Sequence, residues 1–143
     1  MNSKIIGDEK LEVHAFWKPG YNSRPLMLTD CESTMDEAKK IKNIGWNRVM
    51  TDKQYSGRGR RGSVWDSQEG DMMATWIIPK SQFGDISIGL IQTELGSLVA
   101  NALGVDLKWP NDIISSDFKK LGGIIMESGD LENVVRVGVG LIL

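Results

Sequence analysis

The chain has 143 residues, 41% of them apolar and 25% charged, the composition of one ordinary folded domain able to bury roughly 70% of the surface its unfolded chain exposes. Its 17 Lys+Arg against 19 Asp+Glu give a net charge of -2, so no global basic field draws it to nucleic acid or to an anionic membrane, and basic function has to be local. It shows no apolar stretch near the ~20 residues that span a bilayer, no apolar h-region in the opening MNSKIIGDEK, and Cys31 as its single cysteine; these features exclude an internal disulfide or a cysteine metal cluster and lead to the expectation of a cytoplasmic protein.

Along the chain, Leu11, Val13, Ala15 and Trp17 alternate like a short strand that Pro19, Gly20 and Asn22 break. A strand is expected over 25–29. Ser33 followed by Asp36 resembles a capping box for a helix running through Ala38 and Ile41 to a stop at Gly45. That start places Ser33 and Thr34 where free N–H groups can meet a polar or anionic ligand group. Strands are expected over 48–55 and over 72–78, closed by Pro79. The plainest helix covers 87–103, with Ile88, Ile91, Leu95, Leu98, Val99 and Ala102 as its apolar stripe and Gly104 as its stop. Strands over 105–109, 112–115, 120–127 and 133–143 follow, joined by short turns at Ser116-Asp117 and Ser128-Gly129-Asp130. Strands clustered after a long helix predict an α+β fold with a mixed, largely antiparallel sheet and packed helices.

Glycine supplies 16 residues, about 11% against a usual ~7%. Three fall within 57–62, two are Gly122 and Gly123, and two are Gly138 and Gly140, implying three places where backbone must turn sharply or approach a ligand. The first is Gly57-Arg58-Gly59-Arg60-Arg61-Gly62, preceded by Gln54 and followed by Trp65. Three guanidiniums on a pliable loop offer bidentate donors for phosphate or carboxylate, an anion clamp; a solvated loop or an arginine-glycine patch for RNA is the competing reading. The second and third features are Lys108-Trp109-Pro110-Asn111-Asp112 and Lys120-Leu121-Gly122-Gly123-Ile124. Lys120 opens a strand beside glycines, so its ammonium is placed either to reach a ligand or to sit in water as a strand-end lysine. Trp65 and Trp109 also fit as core or rim aromatics. Met72, Met73 and the helix stripe read as core, and His14, the single histidine, as structural or exposed.

Taken in this order, GRGRRG, KWPND and KLGGI, with Ser33-Thr34, Gln54, Trp65 and the final Val137-Gly138-Val139-Gly140, resemble the catalytic domain of biotin protein ligases, from about Leu28 onward. The resemblance implies a class II aminoacyl-tRNA synthetase/biotin ligase-like fold. It also implies a single biotin/lipoate ligase-type catalytic domain over 1–143, C-terminally short, without a DNA-binding domain or a C-terminal SH3-like domain. The implied activity uses ATP, with Mg²⁺ on its phosphates, to convert biotin into biotinyl-5′-adenylate and then passes biotin to a lysine of a biotin carboxyl carrier domain. A carboxylate approaching a triphosphate meets repulsion of ~4 kcal/mol per unit charge pair at 4 Å and an effective dielectric near 20, so cations must converge on the reacting centre. Lys120, Arg58 and Arg60 are the implied catalytic cations, with Lys120 stabilising the phosphorus centre and the later acyl oxyanion. Asp112 either orients the incoming lysine or Mg²⁺, or holds a turn. The implied biotin side comprises Ser33, Thr34, Met35, Gln54, Arg58, Gly59, Arg60 and Lys120; the nucleotide side comprises Arg60, Arg61, Trp65 and Asn111. No enzyme nucleophile and no protein metal cluster is implied, and the loop is expected to order over the adenylate and protect it from water.

Two positions depart from the family pattern. Met35 stands where an asparagine follows Ser-Thr, and Ile142 stands where Gly-x-Gly-x-Asn ends. Each loses an amide hydrogen bond of ~0.5–1.5 kcal/mol. The apolar Leu141-Ile142-Leu143 is expected to be covered, with a homodimer partner as the cover. Alternatives are a ligase-derived protein that binds biotin, its adenylate or a carrier without turnover, a lipoate ligase, and an arginine-glycine RNA-binding domain that would account for neither KWPND nor KLGGI.

Overall fold

A computed structural model describes residues 24–41, 47–129 and 132–142. The strand expected over 11–17, His14, the stop at Gly45 and Leu143 lie outside these residues. Strands β1 (Arg24–Leu28), β2 (Asn47–Thr51), β5 (Met72–Pro79), β6 (Asp106–Lys108), β7 (Asp112–Ile114), β8 (Lys120–Glu127) and β9 (Val134–Leu141) form one sheet in the order β1-β2-β5-β9-β8-β7-β6. Only β1 and β2 are parallel, joined through helix α1 (Thr34–Lys39), and every other neighbour is antiparallel. A separate two-stranded hairpin, β3 (Gly57–Arg58) and β4 (Val64–Trp65), carries the arginine-glycine loop. The expected mixed, largely antiparallel α+β architecture is what the chain adopts.

Helix α2 (Ile88–Leu103) covers one face of the sheet. It ends as expected at Gly104, whose left-handed backbone (φ 67°, ψ 35°) returns its N–H to the carbonyls of Ala100 and Asn101. Its buried stripe differs from the expected one. Ile91, Leu95, Gly96 and Ala100 face the sheet, whereas Ile88, Leu98 and Ala102 are exposed. Gly96 explains the rotation, because a Cβ there would lie 2.9 Å from Leu107 Cδ1; the bare backbone lets the helix settle on β6 along that line. Beneath it, Ile78, Ile113, Ile124, Val135, Val137, Val139 and Leu141 form the larger core. Leu141 is therefore covered by the chain's own core, while Ile142 remains 47% exposed.

The opposite face carries α1 and a smaller core of Leu28, Cys31, Ala38, Val49 and Ile77. The cross-strand partners Thr75↔Gly138, Gly138↔Ile125, Met73↔Gly140 and Gly140↔Gly123 share this face, since side chains directly opposite in a ladder point the same way. The neighbouring strands β8 and β9 thus place Gly123, Gly138 and Gly140 on this face beside α1, flanked by Met73 and Thr75 of β5. The strand expected over 48–55 stops at Thr51, but its pairing continues. Cys31 and Gln54 form a parallel bridge, with the Cys31 N–H donating to the Lys53 carbonyl at 3.0 Å and the Tyr55 N–H to the Cys31 carbonyl at 3.0 Å. That extension carries Gln54 to the start of α1.

Candidate functional site

A cavity of about 270 Å³ lies on the α1 face between the glycine strip, the start of α1 and the β3–β4 hairpin, just below the ~300 Å³ at which small-molecule sites commonly begin. Ser33, Thr34, Met35, Gln54, Arg58, Gly59, Arg60, Trp65, Asn111, Asp112 and Lys120 all line it, although they come from well-separated stretches of sequence. Arg61 does not line it; that residue is exposed at the tip of the loop with a left-handed backbone (φ 54°, ψ 39°).

One end of the cavity is built from hydroxyls and an amide. The expected capping box is not formed, as the Ser33 side chain makes no capping bond. Instead, Gln54 Oε1 accepts from the Thr34 N–H at 2.8 Å and from Thr34 Oγ1 at 3.3 Å, so a side chain 20 residues away satisfies a helix-start donor. Thr34 Oγ1 also lies 2.8 Å from Oγ1 of Thr75, a fully buried residue of β5 that lines the cavity. With the oxygen of Gln54 committed to Thr34, its Nε2 group is the donor left over. Gly57 must be glycine for this arrangement, because a Cβ there would meet Gln54 Nε2 and lie 2.6 Å from the Trp65 carbonyl.

The other end is cationic. Lys120 Nζ lies 3.2 Å from Asp112 Oδ1 and 5.4 Å from the centre of the Trp65 ring. The lysine side chain is 52% exposed, and an ion pair of that kind is worth only ~0–1 kcal/mol, so an arriving anion can recruit the ammonium at little cost. Arg60 lines the cavity, and the turn beneath it is tied by Gly59 N–H to the Ser63 carbonyl at 2.8 Å and by Ser63 Oγ to the Arg60 carbonyl at 2.8 Å. Arg58 behaves differently from the free clamp expected of it. Its Nη1 donates to Asp36 Oδ1 at 2.7 Å, and its Nε and Nη2 donate to Glu127 at 3.1–3.3 Å. Burial pulls the pKa of the guanidinium down, but hydrogen bonds to Glu127 and Asp36 outweigh it and raise the pKa overall.

Trp65 closes the wall. A Cβ on Gly140 would lie 2.6–2.8 Å from its indole atoms and one on Gly123 3.5 Å from its Cζ3, so the ring rests on the glycine strip. Its buried Nε1 has no hydrogen-bond partner among the described residues. Asn111 is held from behind, its Nδ2 donating to the Ile124 carbonyl at 2.9 Å. Met35 is buried against Gly138 on this side of the sheet: the Cβ position of Gly138 lies 3.0 Å from Met35 Cε. Among the described residues no group of three His, Cys, Asp or Glu side chains is placed to hold a metal, and no helix is long and apolar enough to cross a membrane.

Thr75 was not distinguishable in the sequence, where MMATWII reads as a buried strand; neither were the roles of Asp36 and Glu127, which meet Arg58 only when α1 and β8 come together.

The cavity thus has a hydroxyl-amide end, a cationic end and a glycine floor between them. The family model described as the biotin/lipoate A/B protein ligase family matches residues 32–141, and the chain belongs to that family. Similar proteins include the biotin–[acetyl-CoA-carboxylase] ligase of Paracoccus denitrificans, 29% identical over 80% of this chain and 52% of the relative. The bifunctional ligase/repressor BirA of Bacillus subtilis is 35% identical over 80% of this chain and 38% of its own length. The chain therefore spans about half or less of the curated relatives it matches. Among solved structures, the biotin protein ligase of Aquifex aeolicus in complex with biotin and ATP aligns with a TM-score of 0.72 at 29% identity, over 82% of this chain and 51% of that one. The biotin protein ligase of Leishmania major in complex with biotin aligns at 0.68 and 26% identity, over 85% and 56%.

Proposed function

We propose that this chain is an ATP-dependent biotin protein ligase catalytic domain, which forms biotinyl-5′-adenylate and transfers biotin to a lysine of a biotin carboxyl carrier domain. The observation that carries this reading is the convergence of Ser33, Thr34 and Gln54 with Arg60 and Lys120 in one cavity over the floor of Gly123, Gly138 and Gly140. The hydroxyls and the Gln54 amide suit the ureido head of biotin, which offers one acceptor and two donors. The valeryl chain would cross the glycine floor and bring its carboxylate to Arg60 and Lys120. A carboxylate oxygen then attacks the α-phosphorus of ATP and pyrophosphate leaves. Lys120 offsets the charge on the phosphorus centre, and the rim of Trp65 and Asn111 is assigned to the nucleotide. In the second step the carrier amine attacks the acyl carbon and AMP departs. Magnesium, when bound, would screen the phosphates; Asp112, the one acid lining the cavity among the described residues, is the residue that would face it or orient the carrier amine.

A second reading is a binding protein derived from such a ligase. The engagement of all three Arg58 nitrogens by Asp36 and Glu127 favours it, because that guanidinium then contributes less positive field to the reaction. Incubation with radiolabelled biotin and Mg-ATP, with and without a carrier domain, separates the two. The ligase reading expects labelled adenylate without carrier and labelled carrier with it. Biotin binding by calorimetry without either product would support the binding protein, and competition by lipoate would identify the preferred acid.

A further inference from the structure

We infer that Met35 is a specificity residue of the cavity. Its thioether and Ile125 close the inner side of the hydroxyl-amide end with apolar surface, so the site takes an acid whose ring carries a thioether sulfur and turns away the same acid oxidised at sulfur. The inference rests on the biotin reading of this site and adds to it which face of the head group must stay unoxidised.

Met35 follows Thr34 at the start of α1, a helix that packs on β5 and β9. Its side chain is buried, at 4% exposure, and ends over Gly138. The Cβ position of that glycine lies 3.0 Å from Met35 Cε and 3.0 Å from Ile125 Cγ2, so the two apolar tips flank the same patch of backbone. Both residues line the cavity, with Met73 beside them. The wall they form has no donor to give, since a thioether and an isoleucine side chain carry none. Thr75 Oγ1 lies 3.6 Å from the same Cβ position and 2.8 Å from Thr34 Oγ1, which lies 3.3 Å from Gln54 Oε1. With the Thr34 proton donated to Gln54, the Thr75 proton is spent on Thr34. The ureido group of biotin goes to Ser33, Thr34 and Gln54, which leaves its fused sulfur ring for the Met35 and Ile125 side. A thioether suits that wall, because sulfur is polarisable and gains dispersion contacts there. A sulfone oxygen does not, because it exchanges water for a surface without a donor.

Calorimetry of the 143-residue chain with biotin and with biotin sulfone, without ATP, tests the assignment. Wild type is expected to bind biotin about 10-fold or more tighter than the sulfone. Met35→Leu keeps the wall apolar and is expected to hold that ratio. Met35→Gln, unbranched like methionine but ending in an amide donor, is expected to bring it to about threefold or less. Should Met35→Gln fail to fold, Met35→Ala opens the wall to water and is expected to lower the ratio by about threefold or more. A Met35 that merely packs would weaken both acids alike and leave the ratio unmoved. The inference is overturned by a wild-type ratio below about threefold, by a ratio equal to wild type in Met35→Gln (or in Met35→Ala where the former does not fold), or by an equal collapse in Met35→Leu. A wild-type chain that binds neither acid overturns the inference and the biotin reading together. One that binds biotin with the expected ratio yet makes no adenylate from Mg-ATP sinks the ligase reading alone.

Discussion

Neighbouring glycines in this fold answer to different masters. Gly122 faces the α2 side, where a Cβ would strike the Gly140 carbonyl and lie 2.6 Å from Leu141 Cδ2; backbone cannot step aside cheaply. Gly122→Ala is therefore expected to cost about 1–3 kcal/mol, read as a lower denaturant midpoint. At Gly140 the obstacle is the Trp65 ring, at 2.6–2.8 Å, which can swing away on a side-chain hinge. Gly140→Ala is expected to cost less than about 1 kcal/mol while changing the emission of Trp65, measured as the difference from a Trp65→Phe variant. A midpoint in Gly122→Ala equal to wild type would refute the packing account. Cys31 gives a second residue-scale test. Burial, aided by the charges of Glu37 and Asp30 and opposed by a hydrogen bond with Thr51, raises its thiol to about 11 from 9.0. At pH 8 the native thiolate fraction is then about 100-fold below that of the unfolded chain, so native alkylation by iodoacetamide is expected to be at least that much slower. Because the folded thiol holds its proton more tightly, stability from this group is intact below pH 9 and is lost between 9 and about 11, by roughly 2–3 kcal/mol; Cys31→Ala removes that component.

At the scale of elements, the start of α1 shows local chemistry yielding to tertiary contact. Ser33 and Asp36 read as a capping box, but Asp36 turns to Arg58, and the acceptor for the Thr34 N–H arrives from Gln54. Thr75 completes the network from β5, and its replacement by valine removes the 2.8 Å contact with Thr34 Oγ1. The expected cost is about 0.5–1.5 kcal/mol of stability, accompanied by a rise in KM for biotin with kcat nearly unchanged. A KM equal to wild type would mean that Thr75 merely packs. The long elements were legible from periodicity and punctuation. The strand Lys120–Glu127 was expected with these bounds, and α2 was displaced by a residue at its start. The two-residue strands of the hairpin and the parallel β1–β2 pairing were not legible, since two residues carry no alternation and pairing direction is decided by α1 packing on the sheet.

At the scale of the whole molecule, the motifs GRGRRG, KWPND and KLGGI meet around one cavity because the sheet order sets β9 between β5 and β8. Their assembly explains why the net charge of -2 carried so little information: the charges are arranged locally, with Arg60 and Lys120 lining the cavity and acids close by at Asp112, Asp36 and Glu127. Sequence alone showed which residues were unusual, but not that Arg58 would be engaged by two carboxylates or that Arg61 would point outside, because both depend on how the hairpin closes. The measurement that bears most directly on this account is biotin-dependent exchange of labelled pyrophosphate into ATP by the 143-residue chain, without carrier. Exchange that requires biotin and falls by about 100-fold or more in Lys120→Ala, in line with loss of an electrostatic stabiliser, is the expected result. Biotin-independent exchange, or none in a chain that unfolds cooperatively and binds biotin, would contradict it.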